Sequence, residues 1–464
     1  MYQQEDICAI ATGAVSSAIA IIRISGKNIL QKVLKFLQFQ QNISIDTIKP
    51  RYLYRAKIIT NNQFIDDILF VYFKSPNSYT GEDMIELHCH GSLYIQGQIL
   101  KILQQLDIRL SQPGEFTLRA FLNGKMDLTQ AEAVNEIIQA RDQTAHQLAI
   151  QHIKGEISKE IKEIRNELLN LLVYVELELD FAEEDVEFAS RENIKNNLER
   201  LIQKIEQLSI SYDYGNVIKN GVLVSIVGET NVGKSTLMNR LLNEDKSIVS
   251  SIPGTTRDII EDSFVHKNIT FRFADTAGIR NTENEVEQIG IEKAIKKAQQ
   301  SSIVLLLLDA ATETEQILNK YNEWKNKLNN KNQLFLVLNK IDKLEQKTLN
   351  NKVKVIKKQV EKVFLISAKY NININNLLDE MYEYIISLNI SGSEVIITNS
   401  RQWNALKKAL ESAKTALISL NSGISNDLLA EDLKQVNHYL SEVTSEIPSQ
   451  EILNEIFSRF CIGK

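Results

Sequence analysis

The sequence predicts a multidomain chain of α/β and α+β class. An N-terminal α+β domain covers 1–120, a helical domain is split into 121–215 and 386–464, and a mostly parallel α/β domain over 216–385 is inserted between the halves. Three observations carry this. In 1–120, short apolar strands such as 67–73 alternate with helices such as 94–106. Over 127–212 proline is absent and glycine scarce, and Leu168, Leu169, Leu172, Val175 and Leu179 recur at helical spacing. In the middle, apolar runs at 222–227, 303–308 and 334–338 are separated by helix-length polar stretches, and helical patterning returns at 402–420, 427–443 and 450–460. A length of 464 residues suits about three domains at ~150 residues each.

The inserted domain carries the sharpest chemistry. Gly228-Glu229-Thr230-Asn231-Val232-Gly233-Lys234-Ser235 follows the first apolar run. Its two glycines let the backbone curl so that successive N–H groups face phosphates, with Asn231, Val232, Gly233 and Thr236 in the cradle. Lys234 neutralises β/γ charge and Ser235 offers a hydroxyl to Mg2+. The base is chosen further on. Asn339-Lys340-Ile341-Asp342 closes the run at 334–338, and the Asp342 carboxylate accepts from both the N1–H and the 2-amino group of guanine, a donor pair that adenine lacks. The turn Ser367-Ala368-Lys369 can donate backbone N–H groups to the guanine carbonyl. Between these lies Asp275-Thr276-Ala277-Gly278, an aspartate suited to the second shell of Mg2+ and a glycine suited to a γ-phosphate contact. Four signals in this order over 221–385 resemble the translation-factor-related branch of Ras-like P-loop GTPases, and imply GTP with Mg2+.

Ile279 stands where Ras-like switch proteins hold a water-orienting glutamine, and it cannot form that hydrogen bond. Glu287, in the acidic stretch 283–287, is the candidate to orient the attacking water. No arginine finger is evident. Asn231 and the segment Ser250-Ser251-Ile252-Pro253-Gly254-Thr255-Thr256-Arg257-Asp258 instead offer hard oxygen ligands, which suit an alkali or alkaline-earth cation. K+ beside the phosphates would stabilise developing negative charge, while Thr256 completes Mg2+ coordination with Ser235.

Further motifs lie outside this segment: Ile21-Ile22-Arg23-Ile24-Ser25-Gly26, Ser78-Tyr79-Thr80-Gly81-Glu82-Asp83-Met84-Ile85-Glu86, Pro113-Gly114-Glu115-Phe116-Thr117, Arg119-Ala120-Phe121-Leu122-Asn123-Gly124-Lys125, and the ending Phe460-Cys461-Ile462-Gly463-Lys464. Together they resemble the MnmE (TrmE) family of tRNA wobble-uridine modification GTPases over essentially the whole chain. The resemblance implies a homodimer whose N-terminal domains bind 5-formyl- or 5,10-methylene-tetrahydrofolate, with contacts at Arg23, Glu86, Lys125 and Lys464. It implies K+ ligands at Asn231, Ser250, Ile252 and Thr255. It also implies a partner, MnmG, carrying FAD and using NADH, in an α2β2 or larger assembly that adds an aminomethyl or carboxymethylaminomethyl group to C5 of uridine 34 in certain tRNAs. Cys461 reads either as a nucleophile toward a pyrimidine or one-carbon intermediate, or as an inert structural thiol. GTP then serves as a conformational drive.

Net charge is −6 and pI about 5.7, so the totals carry no basic footprint for free-standing tRNA binding. The start has no basic-then-apolar signal pattern, and no apolar run approaches the ~20 residues that cross a bilayer, so no membrane is expected. Cys8, Cys89 and Cys461 form no disulfide framework and suit a reducing cytoplasm. His88-Cys89-His90 puts two histidines on one strand face, but no second ligand pair accompanies them. The acidic break at 183–185 and the Asn/Lys-rich stretch 326–331 read as solvated loops. The alternative function is a ribosome-assembly or regulatory GTPase of the Era/Der type, which should carry a basic RNA-binding module. A P-loop kinase would not need Asn339 and Asp342.

Overall fold

The computed structural model describes residues 5–39, 47–60, 63–180, 191–244, 263–274, 287–329, 331–388, 394–422, 424–444, 453, 456–458, 460 and 463. Among them, Ile7–Ile10 (β1), Ser17–Gly26 (β2), Leu37–Phe39 (β3), Leu53–Thr60 (β4), Gln63–Phe73 (β5), Asp83–Gly91 (β6) and Arg109–Leu110 (β7) form one sheet in the order β3-β4-β5-β6-β2-β1-β7. Period-two alternation sets its faces: Ile22 and Ile24 of β2 go inward, under the helix Leu93–Gln105, while Arg23 goes to the other face. The β2/β6 register seats Arg23 directly opposite Glu86.

The second sheet runs β13-β12-β11-β8-β10-β9, from Val222–Val227 (β8), Ser263–His266 (β9), Ile269–Phe273 (β10), Ile303–Asp309 (β11), Gln333–Asn339 (β12) and Val363–Leu365 (β13). All its pairings are parallel except β9 with β10. Burial on both faces explains why β11 is apolar up to its last residue, Asp309. Strand order reverses at β8, so the loop leaving it opens into the crevice where α/β sheets bind ligands.

Six long helices build the remainder among the described residues: Leu128–Gln139, Gln143–Ile153, Glu156–Asp180, Arg191–Asn220, Ser400–Asn421 and Asn426–Thr444. The last four share a core that draws on residues from both sides of the inserted domain, such as Ile164, Leu198, Leu406 and Leu440. Over 127–212 the helices are of uneven length. Asp127 caps the first through a reciprocal bond with Gln130, and Asp142 restarts the chain by accepting from the Ala145 N–H at 2.8 Å. The helix Arg191–Asn220 continues past 215, with Gly215 inside it because a Cβ there would lie 2.2 Å from the Ile397 carbonyl oxygen. The polar stretch at 326–331 begins inside a helix, Thr314–Lys327, rather than in a loop.

The way in and the way out of the inserted domain meet at a buried polar cluster. Glu136 accepts from Lys219 Nζ (2.7 Å) and Thr398 Oγ1 (2.7 Å) and pairs with His152 Nδ1 (2.8 Å), whose Nε2 lies 2.8 Å from the Ile396 carbonyl. Burial pushes the Glu136 carboxyl up, but the His152 hydrogen bond and the Lys219 and His152 charges outweigh it and hold it at about 2. One turn earlier, Glu132 receives Arg401 through both oxygens, at 2.8 and 3.0 Å. No described helix is long and apolar enough to cross a membrane.

Candidate functional sites

The loop after β8 has the backbone that a phosphate cradle requires. Gly228 (φ +148°) and Gly233 (φ +102°) adopt conformations that side chains disfavour. A Cβ on Gly228 would lie 2.2 Å from the Leu307 carbonyl oxygen, and one on Gly233 would lie 2.4 Å from Asn339 Nδ2. Asn231 sits at φ +61°, and Lys234 opens the helix Lys234–Glu244. The Lys234 ammonium donates to the carbonyls of Gly228 (2.9 Å) and Glu229 (2.6 Å). Burial pulls its pKa down, and the Glu229 charge compensates only in part. A bound phosphate would supply the anion this ammonium lacks, so the cradle fits a nucleotide.

The base-reading segments are wired to this loop. Asn339, buried at the end of β12, donates from Nδ2 to the Val232 carbonyl (2.8 Å) and accepts the Ala368 N–H on Oδ1 (3.0 Å). Within the turn 367–369 the Ala368 N–H is therefore turned to Asn339. Lys340, in the left-handed region at φ +66°, donates to the Asn231 carbonyl at 2.8 Å. Asp342, in the 3-10 turn Ile341–Lys343, takes the Ser367 hydroxyl on Oδ1 at 2.6 Å. Among the described residues its Oδ2 has no hydrogen bond, and the group is exposed. Asn231, Val232, Gly233, Lys234, Asn339, Lys340, Asp342 and the 367–369 turn thus converge. Ser235 and Thr236 lie on the first turn of the adjoining helix.

Two contributors were not singled out from sequence. Asp309 Oδ2 accepts from Lys340 Nζ at 2.9 Å, and Arg240 donates to the carbonyls of Ala368 (3.2 Å) and Lys369 (3.0 Å). Burial pushes Asp309 up, but the Ala311 N–H and Lys340 outweigh it and leave it below the ordinary carboxylate range. Its position as the one charge ending an apolar run was a usable signal; nothing local marked Arg240. Ser250, Ser251, Ile252, Pro253, Gly254, Thr255, Thr256, Arg257, Asp275, Thr276, Ala277 and Gly278 lie outside the described residues. Glu287 begins the helix Glu287–Gln300, but its side chain is not among those described.

The N-terminal candidates also converge. Arg23 donates from Nε (3.0 Å) and Nη2 (2.9 Å) to Glu86 Oε1, and from Nη1 to the Gly463 carbonyl at 3.3 Å. Its guanidinium lies over the rings of Tyr79 (5.6 Å) and Phe116 (5.9 Å). Glu86 and Lys125 both line a cavity of about 390 Å³, and Lys125 Nζ donates to the Pro76 carbonyl at 2.9 Å. Arg23 and Glu86 thus form a mutual ion pair, with Glu86 lining the cavity. Cys461 and Lys464 are outside the described residues, although Gly463 brings the C-terminal end to Arg23. Cys8 and Cys89 are buried free thiols, and burial pushes them up to about 12 and about 11. His90 Nδ1 is 2.6 Å from Asp66, and no metal-ligand group of three or more occurs among the described residues.

Comparison with known proteins covers the chain end to end. The family description "MnmE helical domain" matches residues 128–461, and "GTP-binding protein TrmE N-terminus" matches 6–125. The tRNA modification GTPase MnmE of Flavobacterium psychrophilum is 43% identical over 467 residues, 100% of both chains. Its namesake from Bacteroides thetaiotaomicron is 42% identical over 469 residues, 99% of this chain and 100% of its own. Among solved structures, Era in complex with MgGDPNP and a segment of 16S ribosomal RNA is 28% identical over 41% of this chain and 66% of its own, with a TM-score of 0.26. A phosphate cradle wired to the Asn339–Asp342 segment, family matches across 6–125 and 128–461, and full-length relatives lead to one conclusion: this chain belongs to the MnmE family of tRNA modification GTPases.

Proposed function

We propose that this chain is a K+-stimulated GTP hydrolase that acts with MnmG on C5 of wobble uridine 34, drawing its one-carbon unit from a tetrahydrofolate. The division of labour follows the expected domains: folate binding and homodimerisation in 1–120, GTP turnover in 216–385, and the helical halves 121–215 and 386–464 joining them. The work is cytoplasmic, with tRNA held jointly with MnmG, which carries FAD and uses NADH. One observation supports this reading above the others. Glu86 and Lys125 line one cavity, and Glu86 holds Arg23, which in turn donates to the Gly463 carbonyl, although these residues come from distant parts of the chain. Nucleosides from tRNA of cells lacking this chain, analysed by mass spectrometry, should have lost the modified wobble uridine; unaltered uridine 34 would return the assembly-GTPase alternative.

In the GTP site, Ser235 and Thr256 would hold Mg2+, which shields phosphate charge. Asn231, Ser250, Ile252 and Thr255 would hold K+. The Asn231 side chain supports this, since it has no hydrogen bond among the described residues while its own carbonyl is pinned by Lys340. Turnover in K+ should exceed that in Na+ at equal ionic strength by at least about tenfold, the scale of one preorganised charge contact; equal rates refute the cation site. Glu287→Ala should retain GTP and slow hydrolysis by roughly a hundredfold, the lower range for a positioned acid or base. Wild-type single-turnover rates in that variant would dismiss Glu287.

A further inference from the structure

The cavity is electrically polarised along its depth. Its inner wall is Met84, Phe73 and Tyr79 with Glu86, all buried or half-buried, and its rim is exposed and carries Arg51 and Lys125. Glu86 is already balanced by Arg23 at 2.9 Å. Neither rim cation has an acidic partner within ion-pair distance among the described residues. Lys125 bonds the Pro76 carbonyl, and Arg51 donates from Nη2 to the Asn77 carbonyl at 3.2 Å. Arg51 is also fixed at its backbone. It sits at φ +61°, and its N–H donates to the Tyr72 carbonyl at 2.8 Å. It therefore spans two walls of the cavity, with further N–H donors of its planar fork available.

The geometry points to Arg51 as a binding residue for the carboxylates of an amphiphilic ligand, one whose neutral, donor-bearing ring system lies against Glu86 and whose anionic tail leaves at the rim. Arg51 and Lys125 together match a tail with at least two carboxylates. On the folate reading above, on which this inference rests, that tail is the glutamate or oligoglutamate portion. A bidentate guanidinium then selects tailed folates over bare pterins.

The test is calorimetric titration of the purified full chain with 5-formyltetrahydrofolate and, separately, with the tail-less 5-formyltetrahydropterin. Wild type is compared with Arg51→Gln and with Arg51→Gly, which tolerates the left-handed backbone. Both variants should lose about five- to tenfold in affinity for the folate, the scale of a partly exposed charge-assisted pair, with the pterin affinity unmoved. Unchanged folate affinity, or a parallel loss for both ligands, overturns the role of Arg51. Absence of binding of either ligand to wild type refutes the folate reading itself, and this inference with it.

Discussion

Asp342→Asn should convert a guanine nucleotide enzyme into one that prefers xanthosine triphosphate. On the proposed reading the wild-type carboxylate would accept from the two adjacent donors of guanine, and Ser367 holds one of its oxygens at 2.6 Å. An asparagine in the same place sets an amide donor against one of those donors. The loss of a charge-assisted contact at roughly 1.5–3 kcal/mol, plus the mismatched donor, predicts a fall in kcat/KM for GTP of about a hundredfold or more. Xanthine replaces the 2-amino group with a carbonyl oxygen, which the asparagine amide can serve, so turnover of xanthosine triphosphate should rise. Parallel steady-state assays with both nucleotides check this. Retained guanine preference would mean that the base is read elsewhere.

The second large effect concerns stability. Glu136→Ala removes the acceptor shared by His152, Lys219 and Thr398, and leaves polar groups unpaired inside the protein. The expected loss is about 3–5 kcal/mol, seen as a lower urea midpoint for the transition involving the helical bundle. Acidity tests the same contact. Because the folded carboxyl is held at about 2 against an ordinary 4.5, its contribution is fully present above pH ~4.5 and is lost as pH falls toward 2. The shift corresponds to roughly 3 kcal/mol, so wild type should lose that much more stability than Glu136→Ala across this window. Equal acid sensitivity of the two proteins would show that Glu136 is not held ionised by its partners.

Legibility in the sequence tracked the distance over which each feature is encoded. The nucleotide loop and the base-reading segment are short, and their chemistry fixes residue type position by position, so Gly228, Gly233, Lys234, Asn339 and Asp342 could be picked out locally. The Glu136 cluster could not, because its partners lie 16, 83 and 262 positions away and each alone is an ordinary polar residue. Arg23 and Glu86 were legible as candidates but not as a pair, since the β2/β6 register that seats them opposite one another is a tertiary outcome. The helix through Gly215 defied composition for the same reason: the glycine answers to the Ile397 carbonyl, not to a local break.

One packing detail bears on how force passes through the molecule. The core under the parallel sheet also takes in Ala145 and Leu148 from the helix Gln143–Ile153, and Tyr214, Val217 and Ile218 from the end of Arg191–Asn220. Asp142 additionally grips Thr270 of β10 through its N–H (2.9 Å) and hydroxyl (2.6 Å). Sliding at this seam would strip apolar area from both sides and break those grips, so the sheet and these helical segments behave as one lever. A displacement of the sheet would therefore be carried to these helices through packed side chains and the Asp142 bonds instead of through a slack tether.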